Sequence, residues 1–251
     1  MMDRRTVQNT LLAAALFTPL SVFAQETGQP ESIAFLFAYT PHEGQGTLFD
    51  EGYRRHLEWH RSRQDPLVWY GWYVVTGPRA GMFVDGTFGA PFAAIDARVE
   101  PGADAADFVQ TTGPHGSIEY RTAYVLRRDL SISTPLEDRQ PPGSQQVYRY
   151  RVQPGMVAAF EAGMVRLSER LGNGEADWTC YEAIDGDRLP GYLIVVPRDG
   201  FSNYAAARGD LLSHARRHLT DDETLRQEFE AAISSLDSET WRYRPDLSYL
   251  P

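Results

Sequence analysis

Three short runs in this sequence place charged residues two apart, Glu119-Tyr-Arg121, Arg149-Tyr-Arg151 and Arg242-Tyr-Arg244, and a fourth, Trp178-Thr-Cys180-Tyr-Glu182, spaces Glu182 two residues from Cys180. On a strand, residues two apart share a face. Glu119 and Arg121 therefore oppose Tyr120 and Thr122, Arg149 and Arg151 oppose Tyr148 and Tyr150, and Arg242 and Arg244 oppose Trp241 and Tyr243. If the sheet is covered by helices on one side, a charge facing them is buried unpaired, at a cost of several kcal/mol. The aromatic residues are thus expected to face the helices, and the seven charged ones the other side. Five arginines against two acids would make that side cationic, suited to a small anionic or carbonyl-bearing molecule held by guanidinium forks. The same pattern also fits a structural Arg–Glu network.

Histidines fall into two i,i+4 pairs, His56/His60 and His214/His218. That spacing puts two imidazoles on one helix face, where a metal could bridge them. His56-Leu-Glu-Trp-His60 is not HExxH, and two arginines stand between His214 and His218. Both pairs are therefore taken as solvated helix faces, with metal or haem binding as the other reading. No metal and no cofactor is expected. Cys180, the single cysteine, is expected to be a small core thiol. The chain has no GxSxG, no CxxCH and no lysine at all, which excludes a Walker A loop, a pyridoxal Schiff base and a lysine nucleophile.

Composition narrows the partners. The chain has 251 residues, 42% hydrophobic, with a net charge of −10. That is enough apolar content for a real core, and an acidic surface repels phosphate backbones, so no nucleic acid partner is expected. Residues 1–24 have Arg4 and Arg5, an apolar run Leu11–Phe17 and Val22-Phe23-Ala24, the pattern of a secretory signal cleaved after Ala24. An ordinary secretory route is favoured over the twin-arginine route, because Thr6-Val7-Gln8 lacks the usual Phe-Leu pair. The protein is expected to be periplasmic or secreted. No stretch reaches the ~20 apolar residues of a membrane span.

These residues sit in a repeated order of elements. Ile33–Tyr39 is an apolar strand, followed by an amphipathic helix over 46–64, strands over 67–76 and 81–88, a short helix over 91–99, a Pro/Gly/Ala/Asp loop and a strand over 117–128. After a proline-rich linker the order restarts: a strand at 146–152, a helix marked by Val157, Phe160, Met164, Leu167 and Leu171, strands at 178–184 and 192–196, a helical region over 204–236 and a last strand at 240–244. The units are expected at 25–130 and 145–251, with the linker at 131–144.

Val152-Gln-Pro-Gly-Met-Val-Ala-Ala-Phe-Glu161 is a strand end broken by Pro-Gly, then a helix with Phe and Glu on its opening turns. With the βαββαβ order, this segment resembles the ferredoxin-like unit of the dimeric α+β barrel superfamily, which includes antibiotic-biosynthesis monooxygenases, EthD-like and NIPSNAP-like proteins. The resemblance implies an α+β fold in which two tandem units close a pseudo-dimeric barrel within one chain, with the seven charged residues in its interior. It implies a monomer or a loose homodimer. The expected function is binding of a small anionic or aromatic molecule in a barrel pocket. The alternatives are a cofactor-independent monooxygenase or isomerase, and a protein-interaction module.

Overall fold

The computed structural model describes residues 32–172, 174–204 and 209–251; the expected signal peptide lies outside them. The first half contains β1 (Ile33–Pro41), α1 (Gly46–Ser62), β2 (Tyr70–Val74), β3 (Phe83–Ala90), α2 (Phe92–Asp96), α3 (Pro101–Thr111) and β4 (Gly116–Leu126). The second contains β5 (Ser144–Val152), α4 (Val157–Leu171), β6 (Thr179–Asp185), β7 (Gly191–Arg198), α5 (Leu211–His218), α6 (Glu223–Ala232) and β8 (Ile233–Tyr243).

The eight strands close into an antiparallel barrel in the order β1-β3-β2-β8-β5-β7-β6-β4. Within each half the strands lie in the ferredoxin-like order fourth, first, third, second. The halves join where β2 pairs with β8 and β4 with β6. Closure pairs every edge, so the barrel needs no second copy to complete it. Among the described residues, no helix is long and apolar enough to cross a membrane.

Strand alternation divides the apolar residues into an interior and two outer layers. Leu36, Trp72, Val84, Tyr124, Tyr181, Leu193 and Trp241 pack together inside the barrel. Phe49, Tyr53, Phe83 and Phe108 fill the layer beneath α1 and α3, and Tyr150, Phe160, Met164 and Phe229 the layer beneath α4 and α6. The two helix layers use the same close-approach device. A Cβ at Gly52 of α1 would collide with the Thr111 carbonyl and come within 3.0 Å of Thr112 Cα, and one at Gly163 of α4 would come 2.8 Å from Phe229 Cβ.

Three local expectations change. The loop expected after residue 99 contains α3, where Pro101 occupies the first turn, a position that suits proline's missing N–H. The helical region expected over 204–236 is two helices. The Asp210 side chain accepts from Ser213 N to start α5, and that of Asp222 from Leu225 N to start α6. The last strand then begins at Ile233, well before 240. The proline-rich segment after β4 is pinned to the barrel: Leu136 is buried in the interior cluster, and Glu137 accepts from Ser32 Oγ at 3.2 Å and Tyr181 Oη at 2.9 Å.

Candidate active site between the first helix pair and the sheet

The residues richest in chemistry meet under α1 and α3, on the outer face of the first sheet. Across β3, β1 and β4, Asp85, Phe37 and Arg121 lie side by side in register and so share this face. Phe35 and Tyr39 flank them on β1. Together with His56, His60, Asp104 and Phe108 from the helices they line a cavity of about 240 Å³.

Asp85 forms its floor. The carboxyl is buried, and its Oδ2 accepts from the Tyr53 hydroxyl in a short hydrogen bond and from the Tyr39 hydroxyl at 3.5 Å. Its Oδ1 is buried without a protein partner, which is costly for a polar atom, and the residue lines the cavity. Burial pushes the Asp85 pKa up to about 7, although the Tyr53 hydrogen bond and the nearby His56 pull against it. The carboxyl can therefore hold or release a proton near neutrality. Arg121 is exposed at the rim, its guanidinium 5.4 Å from the centre of the Phe37 ring.

His56 and His60 are 6% and 5% exposed, so this pair is not the solvated helix face its sequence suggests. Each ring is held by an acid. Asp107 Oδ2 lies 2.8 Å from His56 Nδ1, and Asp65 Oδ2 lies 2.7 Å from His60 Nδ1. Asp65 also accepts from Leu67 N at 3.0 Å and Trp69 Nε1 at 2.9 Å. Burial would raise the Asp65 pKa, but the His60 contact and these two donors hold it below the ordinary value. For His56, burial lowers the pKa, and hydrogen bonds to Asp104 and Asp107 more than reverse the effect, so it is raised.

None of Asp65, Asp85, Asp104 and Asp107 was singled out by sequence spacing. Asp65 lies just past the helix expected over 46–64, and Asp104 and Asp107 fall in the segment taken as a loop. Asp85 carried a usable signal, a lone carboxylate in the strand Phe83-Val-Asp-Gly-Thr-Phe88.

The seven expected site residues do not converge. Arg149 and Arg151 face the barrel side, as expected from Tyr148 and Tyr150 packing under the helices. They are neutralised there: Arg149 Nη2 is 3.2 Å from Glu239 Oε1, which also binds Arg79, and Arg151 Nη2 is 2.5 Å from Asp187 Oδ1. β4 and β8 present the opposite faces from those expected. Trp241 and Tyr243 pack inside against Trp72, so Arg242 and Arg244 point outward, and Arg244 pairs with Asp50 of α1 at 2.9 Å. Tyr120 and Tyr124 lie inside, so Arg121 faces the helix side. Glu119 is the residue skipped by the bulge between Ile118 and Tyr120, and it is exposed. Glu182 shares the outer face with buried Cys180 and binds Arg127 at 2.8 Å. The expectation fails because the barrel interior is itself an aromatic core. Aromatic residues are at home on both faces of the sheet, so they cannot specify which one the charges take.

A second cavity, of about 300 Å³, is lined by α5 and by β5 and β7 in the other half. Tyr148, Trp178, Arg198, His214, Arg217 and His218 contribute to its lining. Burial, then the Arg217 and His218 charges, lower the His214 pKa to about 4, so this ring is neutral at pH 7.

No family profile and no curated protein sequence matches the chain. Solved structures do match its fold. A "putative monooxygenase" from Lactobacillus acidophilus NCFM is 12% identical, with a TM-score of 0.54 over 86% of this chain and 95% of that one. A second, from Fusobacterium nucleatum subsp. nucleatum, is 12% identical, with a TM-score of 0.54 over 86% of this chain and 94% of the other. A mutant chlorite dismutase from Candidatus Nitrospira defluvii is 9% identical, with a TM-score of 0.56 over 86% and 92% of the two chains. The architecture common to them is the dimeric α+β barrel, and this protein has that fold, its eight strands supplied by a single chain.

Proposed function

We propose that the protein is an enzyme of the monooxygenase-or-isomerase class that removes a proton from a small phenolic or carbonyl-bearing substrate in the cavity beneath α1 and α3. The observation that carries this reading is Asp85: a buried carboxylate in the wall of an aromatic-lined cavity, with one oxygen held by two tyrosines and the other without a protein partner. The volume of about 240 Å³ suits one substituted ring or a short acid. Phe35 and Phe37 would flank it, and Arg121 at the rim would take an anionic group or an enolate oxygen. Asp85 Oδ1 would accept the proton and leave the electron pair on the substrate. In an isomerase the same proton returns to a different carbon. In an oxygenase the electron pair passes to dioxygen, whose reduction the substrate itself supports. The fold's occurrence among structures described as monooxygenases supports this class over a pure binding role, since fold by itself does not assign a reaction and Asp85 adds a candidate base.

The signal-like N-terminus supports export, and the completed barrel supports a monomer. The matching element order of the halves supports a tandem duplication.

The test is solvent-deuterium exchange. Enolisable carbonyl acids and planar phenols are incubated with the protein in D2O, with NMR for exchange and an oxygen electrode for dioxygen uptake. Wild type should exchange one C–H of a panel member, or consume oxygen with it, and Asp85→Asn should do neither. Tight binding without exchange or uptake would return the protein to a binding role.

A further inference from the structure

We infer that His56, His60 and Asp104 form a binding site for one divalent transition-metal ion in zinc-like, four-coordinate geometry, with the fourth position open to the cavity. This goes beyond the proton-transfer reading and does not depend on it.

The geometry carries the assignment. His56 Nε2 and His60 Nε2 are 3.3 Å apart, and Asp104 Oδ1 lies 3.3 Å from the first and 3.5 Å from the second. The three atoms make a nearly equilateral triangle. Bonds of about 2.0–2.1 Å at a tetrahedral metal put neighbouring ligand atoms about 3.3 Å apart. The corresponding edge at an octahedral metal with the same bonds is roughly 3.0 Å. The observed edges match the tetrahedral spacing.

The second observation is how the rings are held. Each Nδ1 faces its own carboxylate, Asp107 for His56 and Asp65 for His60, so each Nδ1–H donates outward. A ring that donates from Nδ1 can offer Nε2 to a metal, and the two Nε2 atoms point at each other and at Asp104. A proton on His56 Nε2 bridges to Asp104 when no metal is bound, and a metal ion would take that proton's place. Imidazole held through its far nitrogen by an acid is also the usual support of a metal-bound histidine. The helices supply the convergence. The i,i+4 spacing aligns the rings on α1, and the close approach of α1 to α3 at Gly52 brings Asp104 over them.

Charge agrees. Four carboxylates, Asp65, Asp85, Asp104 and Asp107, surround the site, against Arg98 and Arg121 on the cavity wall. All three ligand residues line the cavity, so the fourth position would take water or an anionic oxygen from a small molecule. Three protein ligands with one open position is the pattern of catalytic rather than structural zinc.

The test uses the full purified chain and the metal alone. Zn2+ is titrated against a chromophoric chelator, and Co2+ is substituted to read coordination from its visible d–d bands. One equivalent should bind, with a four-coordinate Co2+ spectrum. His60→Ala and Asp104→Asn should each weaken Zn2+ by at least about 100-fold, and Asp107→Asn by about 10- to 100-fold. Asp104 is partly exposed, so its Asn variant is the fallback should truncation of His60 unfold the chain. His214→Ala should leave Zn2+ binding unchanged, and Asp85→Asn should still retain one equivalent even if it abolishes proton transfer. Failure to retain one equivalent, a six-coordinate Co2+ spectrum, or affinity indifferent to His60 and Asp104 would overturn the site.

Discussion

The two histidine pairs have the same spacing and opposite surroundings. His56 and His60 sit in α1 against α3, which presents Asp104 and Asp107, while Asp65 follows the helix end. His214 and His218 sit in α5 with Arg216 and Arg217 between them, and Arg217 Nη2 is 3.3 Å from His214 Nδ1. The acids raise the His56 pKa against its burial, whereas burial and arginine depress that of His214. One half of the barrel thus sets carboxylates directly against its imidazoles, while in the other arginine and the second histidine outweigh Asp210 at His214. Spacing along a helix sets which side chains are neighbours, but the neighbouring helix sets what they can bind.

The largest expected effect is on Asp85, which has no acidic counterpart lining the other cavity's sheet face. Asp85→Asn should lower turnover by about 10²- to 10⁴-fold, the range for losing a general base, while far-UV circular dichroism stays unchanged. Full activity in this variant would dissolve the distinction between the cavities. The pH dependence of stability should separate them too. Asp85, at about 7, is raised above its unfolded value. Its contribution is complete below the unfolded carboxylate pKa and is lost as pH rises through about 7. His214, at about 4, is lowered, so its contribution is present above the unfolded histidine pKa and is lost as pH falls toward 4. Thermal melts should therefore show Asp85→Asn removing the loss of stability toward alkaline pH, and His214→Gln removing part of the loss toward acid.

Truncating the rings should differ next. His60→Ala strips a partner from buried Asp65 and should cost about 2–3 kcal/mol in urea denaturation. His214→Ala should cost less than about 1 kcal/mol, since that ring is only half-buried and its side-chain contact is with exposed Arg217, beside a backbone contact at Gly209. Equal costs would mean that burial of the first pair carries no energetic weight.

The glycine contacts sharpen the comparison further. Gly52→Ala and Gly163→Ala should each destabilise by about 1–3 kcal/mol through overpacking. Only Gly52→Ala should also perturb the His56/His60 resonances in NMR, because backbone stands opposite it and α3 must shift with its aspartates. The smallest effect concerns Arg121. Arg121→Ala should raise KM for an anionic substrate about five-fold, equivalent to ~1 kcal/mol for an exposed charge contact, with Tm unchanged. Arg242→Ala, on the outer face of β8, should leave KM alone.

Much of this protein is decided locally, and its sequence shows it. The apolar run from Ile33, the i,i+4 apolar residues of α4, the Pro-Gly break at Pro154-Gly155 and the two βαββαβ passes depend on contacts within a few residues, so their periodicity exposes them. Cys180 as a core thiol follows from its apolar strand neighbours, and it is fully buried. The face that a charged strand residue takes is a different kind of fact. A strand has two faces, and in a barrel both are covered, one by helices and one by the opposite strands. Tyr148 and Tyr150 go under the helices while Trp241 and Tyr243 go inside, though both pairs alternate with arginine in the same way. The active-site candidate is likewise tertiary. Asp65, Asp85, Asp104 and Asp107 lie on a helix exit, a hairpin strand and a helix that composition disguised as a loop. They become one site only because α3 closes on α1 at Gly52 and the pair lies across the first sheet. Periodicity records how often a residue type recurs along the chain, and it holds no record of which distant segment is folded against it.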